Sequence, residues 1–278
     1  MSLKPQLYVT ISEPVNVAFA RLPPGFAPSG PLYHSVQAPE AGGISLDISG
    51  ESLLVEIRER ISLLESNLPR QVDALAVSQI SKLPFKALAY REALIWRMTE
   101  LSGVAFRSFE SDKLVSAILL TRAAVETSAA LWYLCDKVGD AVQSGAVADI
   151  DDYLMKLMMG SKTNPDTVPK AINVLTFVDR VDKEIEGLRH QYDMLSEFAH
   201  PNWAGTTLLY SKSDPSNFRT TFGANIRAAD GTKNAGLLNL SVALMIFERS
   251  YTRVSDCLPD FITLCEDNLT STTSAPSR

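Results

Sequence analysis

Two stretches of the chain place anion-binding and proton-transferring side chains at helical spacing. The first holds Arg122 and Glu126, four positions apart. The second, residues 187–202, contains Arg189, Tyr192, Ser196, His200 and Asn202. Arginine can hold a phosphate or carboxylate through two parallel hydrogen bonds, and histidine exchanges a proton near neutral pH. These residue types together predict a groove that binds an anion and moves a proton.

Four of these residues share one side of the helix predicted to end at His200. At about 100° per residue, they form a single stripe flanked by apolar positions: Arg189, Tyr192, Ser196 and His200. We therefore expect the stripe to point inward, toward Arg122 and Glu126 on a second helix. Because Pro201 disfavours helical geometry at the residue before it, the helix should end at or next to His200.

A structural role for the same residues is the alternative. The spacing of Arg122 and Glu126 permits a salt bridge within their own helix, and Tyr192 and Ser196 can satisfy backbone or carboxylate groups. His200 would then cap its helix, where the negative end of the helix dipole favours the protonated imidazole. Since polar clusters are only statistical markers of functional sites, the spacing leaves both interpretations open.

Helical periodicity runs through residues 49–268 and predicts a mainly α fold, a bundle of six or more helices in one domain. Residues 1–48 hold seven prolines and four glycines, which predicts an irregular N-terminal arm with a short strand at residues 7–11. Alternating residues at 206–210 and 217–222 predict a β-hairpin within about 205–223. Residues 269–278 are small and polar, which is typical of a disordered tail.

The expected helix boundaries follow from capping and breaking residues. The central helix should run from Leu114 to about residue 138, with a weak helix at 71–80 before it. Gly103 is expected to bend or divide the helix predicted over 85–109, and Pro259 to interrupt the last helix. Trp203, just after the helix end, is expected to pack against the body of the protein.

The composition is ordinary for a soluble globular protein, with 46% hydrophobic and 21% charged residues. Because the formal net charge is −6, binding to a nucleic acid would require a local basic patch. Cys135, Cys257 and Cys265 are widely spaced and odd in number, which predicts reduced thiols and a cytoplasmic location. The first twenty residues do not have the pattern of a signal peptide.

The longest apolar run, residues 114–134, is long enough to cross a membrane. Arg122 and Glu126 lie near its centre, where each ionised group would cost roughly 2.5–3.5 kcal/mol. We therefore expect a buried helix and no membrane partner.

Several familiar chemistries have no motif in the sequence. It contains no glycine-rich phosphate loop, no Gly-x-Ser-x-Gly nucleophile elbow and neither Cys-x-x-Cys nor His-Glu-x-x-His. The three histidines are too few for a His-rich metal site: His34, His190 and His200. We expect neither a metal nor a cofactor.

The two polar stretches also carry a family resemblance. Arg122-Ala-Ala-Val-Glu126, followed by Leu131-Trp-Tyr-Leu134 and then Tyr192-Asp-Met-Leu-Ser-Glu-Phe-Ala-His-Pro-Asn202, resembles a family of bacterial helical proteins without an assigned activity. In that family an Arg-x-x-x-Glu helix pairs with a Tyr-x-x-x-Ser-x-x-x-His helix. The family is similar in turn to the HEPN superfamily, whose compact helical bundles often dimerise and include metal-independent ribonucleases. The resemblance covers roughly residues 85–205.

The resemblance implies a homodimer that binds RNA or a nucleotide and cleaves RNA in stress response or phage defence. His200 would serve as acid or base, and an arginine would stabilise the phosphorane formed when the 2′-hydroxyl attacks the phosphodiester. Active HEPN ribonucleases place this arginine four to six positions before the histidine, whereas Arg189 stands eleven positions before His200 here. Arg122 or Arg189 can take the role only if folding brings one of them beside His200.

The second hypothesis is a non-catalytic binding or regulatory module. In it the same residues would hold a small anion or nucleotide, with Glu126, Tyr192, Ser196 and Asn202 as contacts, or would simply join the helices.

Overall fold

A computed structural model describes residues 50–164, 166–227 and 229–273 of the chain. Within this part, nine α-helices, one π-helical turn and one two-stranded antiparallel hairpin confirm the predicted mainly α bundle. The predicted arm at 1–48 and its strand at 7–11 lie outside the described residues. In chain order the elements are α1 (Gly50–Ser66), α2 (Ala74–Val77), α3 (Leu83–Glu110), α4 (Leu114–Ser144), α5 (Ile150–Met159), α6 (Val174–Asp182), α7 (Leu188–Ala199), the π turn (Trp203–Thr207), α8 (Leu208–Tyr210), β1 (Ser211–Asp214), β2 (Arg219–Phe222) and α9 (Ala229–Thr273).

The core forms where α4 packs along α9, and α3, α6 and α7 cover the remaining sides of α4. Leu131, Trp132 and Leu134 on α4 are buried, as is Phe247 on α9. Among the described helices α4 alone is long and apolar enough to span a membrane, and 61% of its most apolar stretch is buried by protein. An apolar surface on every side, covered by other helices, is typical of a core helix.

Two glycines set the length and continuity of the long helices. α4 continues six residues beyond the predicted end at 138 and ends where Gly145 adopts a left-handed conformation with φ of 65°. Gly103 was expected to bend or divide α3, but α3 is one helix from Leu83 to Glu110. Gly103 is buried, and a Cβ placed there would contact Ile61 of α1. The distance of this contact, 3.9 Å, is an ordinary van der Waals distance, so Gly103 packs against α1 without interrupting α3.

The predicted interruption of the last helix at Pro259 is wrong, because α9 runs continuously from Ala229 to Thr273. Proline removes one backbone donor, and the carbonyl four residues earlier, at Ser255, loses its helical partner. Both Ser255 and Pro259 are exposed, so water can reach that carbonyl. Val254 and Phe261 are fully buried on either side and hold the helix against the core. The tail predicted from residue 269 is likewise helical as far as Thr273.

Two further predictions need correction. The weak helix expected at 71–80 is reduced to the single turn α2, whose N-terminus is capped by Asp73. The hairpin is present, but its first strand lies at Ser211–Asp214 and not at 206–210. The side chain of Asn202 accepts a hydrogen bond from Gly205 N, and residues 203–210 wind into the π turn and α8. Ser211 then pairs with Phe222, and Asp214 with Arg219.

Close packing of α9 against Phe109 of α3 predicts the effect of adding one methyl group at Gly236. A Cβ at Gly236 of α9 would lie 2.5 and 2.6 Å from ring atoms of Phe109, which is fully buried. We expect Gly236→Ala to lower the free energy of unfolding by about 1–3 kcal/mol through overpacking. Urea denaturation measures this change.

Gly139→Ala is the matched control, because a Cβ at Gly139 in α4 meets no atom within 4 Å. It should raise the free energy of unfolding by about 0.5–1 kcal/mol, the usual gain for alanine over glycine in a helix. Equal effects of the two substitutions would contradict the close contact at Gly236.

Candidate functional site

The polar residues of α4 and α7 meet at the hydroxyl of Tyr192. This hydroxyl donates to Glu126 Oε1 at 2.8 Å and accepts from Arg122 Nη2 at 2.8 Å. Arg122 Nη2 also lies 3.4 Å from Glu126 Oε1, which confirms the salt bridge permitted by their spacing. The guanidinium of Arg122 stands 5.1 Å from the centroid of the Tyr192 ring. We call these three residues the Tyr192 cluster.

The electrostatics of the Tyr192 cluster keep a proton on its tyrosine. Burial is the main cause that raises the pKa of Tyr192; the hydrogen bond to Glu126 raises it further, and the one from Arg122 lowers it. A neutral phenol at physiological pH remains a donor and cannot act as a general base. The hydroxyl donates once and accepts once within the cluster, so its single proton is already used.

Arg189 does not join the cluster, so the prediction that it points inward is wrong. Its Nη1 lies 2.5 Å from Asp179 Oδ1, and its Nε lies 3.1 Å from both carboxylate oxygens of Asp193. The side chain is about one third exposed. An anionic substrate would compete with these two carboxylates for the guanidinium.

His200 follows the end of α7, as predicted, but its side chain does not point inward toward Arg122 and Glu126. α7 ends at Ala199, and His200 follows in extended conformation, which confirms the boundary set by Pro201. The imidazole is exposed and forms no hydrogen bond or ion pair with any residue of the described ranges. Eight residues separate it from Tyr192, which corresponds to about 12 Å along a helix axis. His200 is therefore outside the Tyr192 cluster.

The angular width of the predicted stripe explains these differences. At about 100° per residue, Ser196, Arg189 and His200 lie roughly 40°, 60° and 80° around α7 from Tyr192, all in the same direction. The buried apolar residues Leu188 and Leu195 lie on the opposite side of Tyr192. Tyr192 is thus at the edge of the buried face, and the rest of the stripe turns progressively toward solvent.

Ser196 and Asn202 serve the local backbone. Ser196 Oγ donates to the carbonyl of Tyr192 at 2.9 Å, one turn earlier in α7. Asn202 caps the π turn through Gly205 N at 3.1 Å and donates to Glu197 Oε2 at 2.7 Å. Both side chains therefore bond within residues 192–205, and neither forms a hydrogen bond with the hydroxyl of Tyr192.

A second cluster of the same residue types joins α3 to α9, and the spacing argument missed it. The hydroxyl of Tyr251 donates to Glu92 Oε2 at 2.7 Å, and the guanidinium of Arg91 stands 4.2 Å from the centroid of the Tyr251 ring. Arg91 also pairs with Glu92. Because Arg91 and Glu92 are adjacent in sequence, they do not repeat at a helical period, and helical spacing does not distinguish them from the other charged residues of α3.

Two more arginine–carboxylate pairs connect outer helices to the core. Arg60 of α1 pairs with the buried Glu248 of α9. Arg180 of α6 donates through Nε to Asp136 Oδ2 of α4 at 2.6 Å. Together with the Tyr192 and Tyr251 clusters, these contacts form a set of four that we call the interhelical ties. Each one fixes an outer helix to α4 or α9.

A cleft of about 320 Å³, including space open to solvent, lies between α7 and α9 above α4. Its lining is mainly apolar, with Leu195 and Phe198 from α7 and Ile118 from α4. Neither an arginine nor a histidine lines it. Nor do three His, Cys, Asp or Glu side chains gather as metal ligands anywhere in the described ranges.

Comparison with models of protein families, with curated proteins and with solved structures gives no match for this chain. The similarity to the HEPN superfamily therefore stays a prediction that depends on the motif residues of α4 and α7.

The Tyr192 cluster gives a prediction about stability and its dependence on pH. Tyr192→Phe keeps the ring and removes two hydrogen bonds, so it should lower the free energy of unfolding by about 1–3 kcal/mol at pH 7. Because the pKa of Tyr192 is raised above 10.0, the folded chain retains a proton that the unfolded chain releases. The contribution of Tyr192 to the free energy of unfolding should therefore fall as the pH rises through about 10. The difference in free energy of unfolding between wild type and Tyr192→Phe should become smaller over the same range.

Urea denaturation at pH 7 and above pH 10 measures both effects. Tyr210→Phe is the control, because Tyr210 is exposed and its hydroxyl has no hydrogen bond within the described chain. This control should change stability by less than about 0.5 kcal/mol. A Tyr192→Phe protein as stable as wild type at pH 7 would show that the cluster does not hold α7 on α4.

Proposed function

We propose that this chain is a non-catalytic binding or regulatory module, in which the Tyr192 cluster joins two helices and does no chemistry. The observation that carries the proposal is the pair of hydrogen bonds at the Tyr192 hydroxyl, which is 2.8 Å from both Arg122 and Glu126. The Tyr251 cluster supports it, because the same three residue types meet at a second helix contact. Arginine, carboxylate and tyrosine thus recur as a way of joining helices in this fold.

The surroundings of the two arginines also favour this function over RNA cleavage. A phosphorane would require a guanidinium beside His200 with donors directed at the substrate. Arg122 is engaged with Tyr192 and Glu126, and Arg189 is neutralised by Asp179 and Asp193. Neither arginine lies beside His200 within one copy of the chain.

A metal-independent ribonuclease is the second candidate, and one observation favours it. The imidazole of His200 is exposed and has no partner in the described chain, so it is accessible to a substrate. In a homodimer a second copy would have to supply the arginine. For either function we propose a cytoplasmic protein that pairs with itself.

Cleavage of RNA in the absence of metal separates the two candidates. Purified protein is incubated with total RNA and EDTA, alongside His200→Ala and His190→Ala proteins. His190 is an exposed histidine of the same helix, and it serves as the matched control. We expect no cleavage that depends on His200.

Cleavage that His200→Ala abolishes and His190→Ala preserves would overturn the proposal and establish the ribonuclease. Cleavage of equal extent in all three proteins would indicate a contaminating ribonuclease. That result would agree with the expected absence of cleavage by His200.

A further inference from the structure

Residues 203–227, between α7 and α9, expose an unusual number of aromatic rings; we call them the hairpin segment. Phe218 is 97% and Phe222 77% exposed, and Trp203 and Tyr210 are 53% and 41% exposed. Packing of Trp203 against the body, as predicted from its position, is therefore wrong. Elsewhere in the described ranges Trp96 is the one other large aromatic residue of this exposure, and its indole N–H donates to Pro69 O.

The hairpin segment is also a local basic patch in an acidic chain. Between Glu197 and Asp230 the sequence contains Lys212, Arg219 and Arg227 and a single acid, Asp214. None of the three cations pairs with a carboxylate of the described chain. Exposed cations without carboxylate partners present a positive surface to an approaching anion.

Asp214, the one acidic residue of the hairpin segment, forms hydrogen bonds within the turn. The carboxylate of Asp214 accepts hydrogen bonds from Ser216 Oγ at 2.5 Å and from Asn217 Nδ2 at 2.7 Å. These bonds lower the pKa of Asp214, and the residue remains exposed. Asp214 stands opposite Arg219 in the ladder, yet the two do not form a salt bridge.

The pairing of β1 with β2 determines on which face of the hairpin the cations and the aromatic rings lie. Lys212 is opposite Thr221, so Lys212 and Arg219 project from the same face, while Phe222 projects from the other. Phe218, with φ of 49°, leads from the turn into β2. Lys212 and Arg227 line a cleft of about 690 Å³, including open space, beside β1. Rings and cations therefore lie within a few residues of one another.

We propose that the hairpin segment binds single-stranded nucleic acid. Bases would stack on Phe218 and Phe222, and the phosphates would be held by Lys212, Arg219 and Arg227. Exposed rings combined with cations are the features with which proteins hold unpaired strands, since every base has a face to stack and every phosphate a charge. A paired duplex hides its base faces and should bind more weakly.

Charge argues against a second copy of the same hairpin as the occupant. Two hairpin segments face to face would bring six cations and two acids together, which repels them. A polyanion is attracted by the same surface. The inference rests on the proposed binding function and names its ligand class.

Binding is measured by the fluorescence anisotropy of a labelled oligothymidylate of about 20 nucleotides, a length that covers one or two such sites. DNA lacks the 2′-hydroxyl, so RNA cleavage cannot affect the result. Full-length wild type should bind the single strand at least tenfold more tightly than a duplex of equal length. Phe218→Ala/Phe222→Ala should weaken binding at least tenfold without a change in melting temperature, because both rings are exposed.

The cations are tested by salt dependence. The triple variant Lys212→Gln/Arg219→Gln/Arg227→Gln should bind more weakly than wild type. It should also reduce the magnitude of the slope of log K against log salt by about two, because each lost phosphate contact removes roughly 0.7 from the slope. Leu75→Ala/Ile80→Ala and Lys162→Gln/Lys170→Gln remove exposed apolar and basic side chains elsewhere and should bind as wild type does.

Four results would overturn the proposal: no binding by wild type, wild-type affinity in the phenylalanine variant, equal affinity for the duplex, or binding to phosphatidylserine vesicles without binding to the oligonucleotide. Dissociation of a wild-type dimer by the phenylalanine substitutions would also overturn it, since the rings would then be a self-association surface. Cleavage of RNA by His200 would overturn the proposed function and leave binding by the hairpin segment intact.

Discussion

Close contact between α4 and α9 is the constraint on which the other elements depend. Small residues lie at this contact: Ser128 of α4 is 1% exposed and Ala243 of α9 is fully buried. Ser128 Oγ lies 2.7 Å from the carbonyl oxygen of Ala243, so a side chain of one helix reaches the backbone of the other. Side chains this short let two long helices approach closely, and the outer helices must then cover the apolar surfaces that remain.

The interhelical ties explain why residue types suited to catalysis occur in a core. Each outer helix buries an apolar face, and such a face alone permits sliding and rotation of one helix on another. A pair such as Arg180 and Asp136 fixes one position, because breaking it leaves a charge with poor hydration. Tyr192 and Tyr251 add a ring that covers the guanidinium and a hydroxyl that reaches the carboxylate. Arginine, glutamate and tyrosine together are therefore weak evidence of catalysis in this fold.

The sequence predicts a structural feature well where a single interaction determines that feature. The apolar surface of α4 predicts its burial, and the contact of Arg122 and Glu126 with Tyr192 follows from helical phase. Pro201 predicts the end of α7 because its ring restricts the preceding residue.

Features decided by competing interactions are less predictable. The outward position of Arg189 and His200 depends on where the buried face of α7 is centred, and Tyr192 alone does not fix that. Residues 206–210 alternate like a strand, but the hydrogen bonds that Asn202 makes with the following turn favour a helical conformation. The continuity of α9 at Pro259 depends on solvent access to one carbonyl, which the local sequence does not encode.

An acidic chain can attract a polyanion where its positive charges are locally dominant. At physiological ionic strength the field of a surface charge decays over about 8 Å, so the net charge of −6 matters less than the nearest groups. The hairpin segment itself carries three cations that pair with no carboxylate of the described chain, and one acid that is hydrogen-bonded within its turn. Asn225 Nδ2 donates to the carbonyl of Asp112 at 2.6 Å, which holds the end of the segment against the corner between α3 and α4. The attachment limits the motion of the segment, and a limited motion reduces the entropy lost when its rings and cations engage a strand.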